Sequence, residues 1–121
     1  MVLTTSNRLR QLLCVSYIDK VRPAELARSR DDVRALLAGL APGFRLLVNL
    51  SQLQSMGIEC LTELGAMMEL TDRSGVGMVV RVIPDETKDI GLNILTVFHY
   101  PHHPHIVTCH TLPEAARALG L

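Results

Sequence analysis

The sequence lacks an excess of either charge, because its twelve Lys and Arg residues balance twelve Asp and Glu residues. Without a net field the chain does not attract polyanions, so nucleic acid is not an expected partner. It also lacks an apolar run near the roughly 18 to 20 residues that span a bilayer, and no membrane segment is expected. Residues 1–8 lack a basic segment followed by an apolar stretch and a small-residue cleavage site. The chain is therefore predicted to be cytoplasmic.

Cysteine is scarce and odd in number. The three cysteines, Cys14, Cys60 and Cys109, are widely separated, and each lies inside an apolar segment. That pattern favours reduced, buried thiols over a redox or catalytic role. The sequence contains no Gly-x-Gly-x-x-Gly, phosphate-binding loop, nucleophile elbow or metalloprotease motif. We therefore predict a protein that is not an enzyme and needs no cofactor.

Apolar residues are abundant, at 48% of the chain against 20% charged, which is typical of a globular, core-forming chain. A length of 121 residues predicts a single domain over residues 1–121. Hydrophobic periodicity and turn residues predict four strands and four helices. The strands are predicted at Leu9–Ile18, Phe44–Leu50, Val76–Ile83 and His105–Cys109. The helices are predicted from Pro23 to Gly39–Gly43, from Ile58 to Ser74–Gly75, over Asp89–Phe98, and over Pro113–Leu119 with Thr111 as the cap.

Predicted strands and helices alternate along the chain with short connections between them. Parallel neighbours in a sheet need crossover connections, which helices supply. The order therefore predicts an α/β domain: a single-layer, mostly parallel sheet of about four strands with alternating helices.

The most informative segment, residues 46–61, runs from an apolar strand through a polar turn into a helix. It resembles the centre of STAS domains (sulfate transporter and anti-sigma factor antagonist), where a strand ending Asp-Leu-Ser precedes a hydrophobic residue, Met-Asp-Ser or Met-Asp-Thr, and a helix. Residues 49–51 (Asn-Leu-Ser), Leu53 and Met56 match that pattern. Gly57 and Ile58 occupy the positions of the Asp and of the hydroxyl residue. Further likenesses lie in residues 75–83, in residues 90–98 and in residues 111–116.

The resemblance implies a STAS-like fold and a non-enzymatic regulatory function in a bacterial signalling complex. It implies a protein partner such as an anti-sigma factor kinase or another anti-sigma regulator. In that family a hydroxyl at the helix start is phosphorylated, adding close to two negative charges beside exposed N–H donors. Ile58 has no hydroxyl, so the usual switch is predicted to be absent. Ser55 and Thr62 are the nearest substitutes, and Ser55 is interpreted as a helix cap in preference to a phosphorylation site.

The turn and the start of the helix are predicted to form a surface that binds the partner or a second copy of the chain. Ile58 is either a core residue or an exposed hydrophobic contact on that surface. One of the adjacent residues Met67 and Met68 is expected to lie off the buried stripe and to be a further contact. The predicted contact residues are Ser51, Ser55, Met56, Gly57, Ile58, Glu59 and Thr62.

All five histidines lie within residues 99–110, and this suggests a second function. Imidazole is a common ligand of transition metals, so a metal-binding or metal-sensing protein is the first alternative. An exposed turn is favoured over it, because two prolines hold the backbone extended, and a pH-sensing loop is a third interpretation. A further alternative is a small-ligand protein with its pocket at the strand ends, near residues 84–89. The candidate metal ligands are His99, His102, His103, His105 and His110.

Overall fold

The computed structural model describes residues 1–83, 89–90 and 100–121. The strands are β1 (Val2–Asn7), β2 (Leu12–Tyr17), β3 (Asp19–Val21), β4 (Arg45–Asn49), β5 (Leu53–Met56), β6 (Met78–Val82), β7 (Asp89–Ile90) and β8 (His105–Cys109). The helices are α1 (Pro23–Leu37), α2 (Leu61–Arg73) and α3 (Leu112–Ala118), and a 3₁₀ turn covers Ile58–Cys60. Within these ranges, no helix has the length and apolar character needed to cross a membrane.

Five strands form the main sheet in the order β1-β2-β4-β6-β8. The inner pairings β2–β4, β4–β6 and β6–β8 are parallel, and β1 pairs with β2 in the antiparallel direction. Helix α1 connects β2 with β4 along the chain, and α2 connects β4 with β6, as parallel neighbours require. The prediction of an α/β domain with a mostly parallel sheet is confirmed.

A second, three-stranded parallel sheet has the order β3-β5-β7. The prediction of one sheet of about four strands was therefore too simple. The connection between the first predicted strand and the first predicted helix, and the polar turn of residues 51–57, were not predicted to contain strands, but each contains a short strand of this sheet. Strand β3 has only three residues, two of them charged and exposed, so its apolar pattern is too short to distinguish it from a turn.

The core lies on both faces of the main sheet. On one face, buried side chains of β2, β4 and β6 pack with α1 and α2, and Leu13, Leu26 and Leu64 are fully buried there. On the other face, Val80 and Val82 pack against Ala115 and Leu119 at α3. The cap predicted for α3 is confirmed, since the Glu114 backbone N–H donates to Thr111 Oγ1 at 3.3 Å.

Three further predictions need correction. Strand β1 was not predicted, because its Thr and Ser residues weaken the apolar alternation and its burial comes from α1 packing beside it. The helix predicted over Asp89–Phe98 is wrong at residues 89–90, which pair with β5 as a strand, and residues 91–98 lie outside the described residues. Met67 and Met68 are both buried, so neither is the exposed methionine that was expected.

Candidate partner-binding surface

The turn after β4 is closed by a side chain. Asn49 Oδ1 accepts hydrogen bonds from the Ser51 backbone N–H at 3.0 Å and from the Ser51 hydroxyl at 2.6 Å. The Leu50 N–H donates to the Val82 carbonyl at 2.9 Å, which ties the turn to β6. Ser51 is half-buried and engaged in this turn, at the opposite end of the following strand β5 from Ile58.

Strand β5 carries the chain from that turn to the 3₁₀ turn. Ser55 is half-buried, and its position is paired with Lys20 of β3 and Asp89 of β7. The residue that caps the 3₁₀ turn is Gly57, so the interpretation of Ser55 as a helix cap is wrong. Met56 is only 2% exposed, and this burial removes its side chain from the predicted contact surface.

Ile58 is held at the surface by its buried neighbours in the chain. Its side chain is 65% exposed, while Cys60 two residues later is fully buried. The Cys60 N–H donates to the Gly57 carbonyl at 3.0 Å, and its Sγ lies 3.5 Å from the Val21 carbonyl oxygen. Anchors on both sides of Ile58 therefore fix its direction. The structure selects the exposed alternative for Ile58 over the core alternative.

Gly57 leaves room for the Glu59 side chain. A methyl group on Gly57 would overlap the Glu59 carboxylate, which is the movable end of a flexible side chain. Gly57 has φ of −75° and ψ of 168°, an extended conformation that any residue adopts. A side chain at position 57 would therefore need only a rotation of the exposed Glu59 carboxylate, and neither packing nor backbone strain requires glycine there.

Two carboxylates, those of Glu59 and Glu63, lie near the start of α2. Glu59 is exposed beside Ile58, and Glu63 pairs with Arg30 of α1 at 2.9 Å. Carboxylates at this end of a helix interact favourably with the unpaired N–H groups of the first turn. Burial, followed by the nearby Glu59 carboxylate, raises the pKa of the Cys60 thiol. The thiol therefore stays protonated and inert near neutral pH.

Four of the seven predicted contact residues form one accessible patch. Gly57 is half-exposed, and Ile58, Glu59 and Thr62 are exposed around it. We call these four residues the Ile58 surface. Thr62, in the first turn of α2, is exposed and Ser55 is half-buried, so Thr62 is the more accessible of the two substitute hydroxyls.

The histidine segment is anchored by a residue that the sequence analysis missed. Asp72 is a buried carboxylate at the end of α2, and it accepts the His102 backbone N–H at 3.3 Å. His102 Nδ1 also contacts the Asp72 carboxylate. The sequence pattern could have identified this residue. Asp72 follows Leu64 and Met68 at helical spacing, which places a charged side chain on the buried stripe of α2.

No metal site is found among the residues whose placement is described, where no three His, Cys, Asp or Glu side chains converge. His102 is engaged with Asp72, and the His103 backbone N–H donates to the Tyr100 carbonyl at 3.0 Å in a turn. His105 and His110 are exposed, and His99 lies outside the described residues. The metal-binding alternative thus gains no support from this part of the chain.

The small-ligand alternative is not tested at its predicted site, because residues 84–88 lie outside the described residues. A space of about 10 Å³ lies in the core beside Tyr17 and Tyr100, too small for more than a water molecule. A shallow groove of about 210 Å³ runs between α1 and α2, away from the strand ends where a pocket was predicted. Three arginine side chains and one carboxylate, that of Glu69, dominate it. The lining residues are Arg30, Arg34, Ala66, Glu69, Leu70 and Arg73.

The mostly parallel sheet, the alternating helices and the β5–α2 turn define a STAS-like fold. In a comparison with solved structures, the chain is similar to the anti-sigma factor antagonist SpoIIAA in its unphosphorylated form. The TM-score is 0.62 at 16% sequence identity, and the match covers 100% of both chains. No protein-family model and no curated protein matches the sequence. The likeness confirms the fold that the resemblance implied, and at this identity it establishes the fold alone.

Proposed function

We propose that this chain is a non-enzymatic regulatory domain that binds a protein partner through the Ile58 surface. The observation that carries the proposal is an isoleucine held in the open by buried anchors on both sides. A rigid turn shows the same apolar contact to every approaching molecule, so binding costs little ordering of the chain.

The exposed Ile58 side chain is unfavourable in water, and binding of a partner would bury it. Fully burying an isoleucine is worth roughly 1.5 to 3 kcal/mol, and most of the Ile58 side chain remains available for burial. Neighbouring Glu59 and Thr62 supply a polar rim around it. An apolar centre with a polar rim is the usual anatomy of a protein interface.

The charges indicate the complementary chemistry of the partner. Glu59 is exposed on the Ile58 surface and, unlike Glu63, has no described ion pair, so it is available to a basic group. The partner surface should therefore offer an apolar pocket beside a lysine or arginine. The buried, protonated Cys60 gives this surface no activated nucleophile. Binding, not catalysis, is the function that these residues support best.

The fold supports the class of partner. The similar structure is that of an anti-sigma factor antagonist, and we propose an anti-sigma regulator or a related kinase-type protein as the partner of this chain. We further propose that binding is not switched by phosphate at this turn. STAS domains, which the sequence resembles, have a hydroxyl residue at this position. In this chain the residue is Ile58, which has no hydroxyl.

Ile58→Asp tests the surface directly. The variant places a charge where the partner must bury an apolar group, so we expect a loss of at least tenfold in affinity for a partner captured from the native cell. Leu9→Asp is a matched control, because Leu9 is 99% exposed in the turn before β2 and lies outside the Ile58 surface. Binding is measured by quantitative pull-down followed by titration of the purified pair. Equal affinity of both variants for every partner would place the interface elsewhere.

Phosphopeptide analysis of protein from the native cell tests the absence of a switch. We expect no reproducible phosphate on Ser55 or Thr62, of which only Thr62 is well exposed. Stoichiometric phosphate on Thr62 that changes affinity for the partner would show that the switch has moved by one helical turn and has not been lost.

A further inference from the structure

We propose that β1 pairs with β1 of a second copy of this chain, joining the two main sheets into one. Strand β1 is an edge strand of the main sheet, and among the described residues no strand pairs with its outer side. Two properties of this edge indicate that its partner is a second copy of the chain: the pattern of its outward hydrogen-bonding groups and its lack of charged side chains.

The alternation of the β1–β2 ladder identifies which backbone groups face outward. The Ile18 N–H donates to the Met1 carbonyl at 2.8 Å, and the Met1 amino group donates to the Ile18 carbonyl at 2.9 Å. Met1 and Ile18 are therefore a hydrogen-bonded pair, and such pairs recur at every second residue of an antiparallel ladder. The N–H and C=O groups of Leu3, Thr5 and Asn7 consequently face β2. Those of Val2, Thr4 and Ser6 face the open edge.

These outward groups are self-complementary about a twofold axis at Thr4. In an antiparallel pairing centred there, Thr4 lies opposite the partner's Thr4, and Val2 lies opposite the partner's Ser6. Each opposed pair exchanges two hydrogen bonds, about six in all across the junction. The same register places Leu3, which is 50% exposed, opposite the partner's Thr5. No outward donor or acceptor between residues 2 and 6 is left unpaired.

The edge also lacks the features that prevent such pairing. Proteins protect exposed edges with charged residues, proline or bulges, and β1 (Val-Leu-Thr-Thr-Ser-Asn) has no charged residue and no proline. Its register with β2 is regular throughout. Because the strand is uncharged, a second copy meets no like charge across the twofold axis. The Met1 amino group, bonded to Ile18 and Lys20 and paired with Glu25 at 3.0 Å, holds the strand in place.

Thr4→Pro tests the pairing, because it removes an outward N–H at the axis while leaving the β1–β2 ladder intact. In analytical ultracentrifugation we expect the native chain to sediment as a dimer and Thr4→Pro as a monomer with an unchanged circular dichroism spectrum. Thr4→Val keeps the N–H and should remain dimeric. A native chain that is monomeric at about 1 mM overturns the proposal. So does a folded Thr4→Pro variant that dimerises as tightly as the native chain.

A cross-linking experiment decides the matter if Thr4→Pro does not fold. Directly opposed Cα atoms in a hydrogen-bonded pair lie about 5.5 Å apart, within the range of a disulfide, so Thr4→Cys should oxidise to a covalent dimer. Asn7→Cys is the control, because its two copies would lie about 20 Å apart in this register. Equal cross-linking of both variants, or none with Thr4→Cys, overturns the pairing. Ile58→Asp should remain dimeric, which separates this proposal from the proposed partner surface.

Discussion

Gly75 and Gly65 differ in whether their surroundings require glycine. Gly75, just after α2, has φ of +90°, and a Cβ there would lie 3.0 Å from Pro42 Cβ and 3.2 Å from Pro42 Cα. Gly65 lies within α2, and a Cβ there would meet nothing within 4 Å. The first position therefore needs glycine for conformation and for space, and the second needs it for neither.

Alanine substitution should separate these two positions. We expect Gly75→Ala to lower the free energy of unfolding by about 1 to 3 kcal/mol, through strain at positive φ and contact with Pro42. Gly65→Ala should raise the free energy of unfolding by up to about 1 kcal/mol, because alanine is the better helix former. Urea denaturation measures both. Equal destabilisation by the two changes would contradict the assignment.

Single residues also show what sequence reasoning can reach. Gly75 was predicted to close a helix, since glycine beyond an apolar periodic segment is a local signal, and its positive φ confirms that prediction. The role of Ser55 depends instead on pairing with β3 and β7, which are distant in the sequence, and it was wrongly interpreted as a cap. Exposure of Ile58 could not be decided either, because the flanking Met56 and Cys60 are equally apolar in sequence and only tertiary packing buries them.

At the scale of elements, α2 combines a core side with the Ile58 surface just before it. Leu64 is fully buried against the main sheet, whereas Ile58 is exposed. We expect Leu64→Ala to lower the free energy of unfolding by about 2 to 5 kcal/mol, since it removes packed methyl groups and leaves a cavity. Ile58→Ala should change stability by less than about 0.5 kcal/mol while weakening partner binding. Thermal unfolding of both variants measures the difference. A large loss of stability in Ile58→Ala would show that the residue is structural.

Elements with their own periodicity were predictable, and elements defined by pairing were not. The apolar residues of β4, β6 and α2 identify these elements from sequence, and Pro23 correctly begins α1. Strands β3, β5 and β7 have two to four residues each, too few for an alternation to be seen. They exist because the chain brings three short segments side by side. The β5 segment of the candidate site was therefore predicted as a turn.

At the scale of the whole molecule, two buried tyrosines link stability to alkaline pH. Burial raises the pKa of Tyr100 to about 12, and burial followed by the neighbouring Tyr100 raises the pKa of Tyr17 as well. An unfolded chain releases these protons near pH ~10, whereas the folded chain retains them to higher pH. The stabilisation is therefore complete below pH ~10 and is lost as pH rises through the folded pKa values.

An absorbance titration of tyrosinate checks this expectation. Native protein should give almost no tyrosinate signal near pH ~10, and the signal should rise together with loss of circular dichroism at higher pH. Protein in concentrated urea provides the control and should titrate near pH ~10. Tyrosinate that forms near pH ~10 while the native spectrum persists would mean that these hydroxyls are accessible to water.

The strand order of the main sheet also has a kinetic consequence. Asn7 and Leu12 of the β1–β2 hairpin are near neighbours in the chain, but Leu12 pairs with Arg45, Arg45 with Met78, and Met78 with His105. Each parallel ladder closes a long loop before its contacts stabilise it, and such topologies fold slowly. We therefore expect the hairpin to form early in folding, with its outer edge exposed while the parallel strands are still assembling.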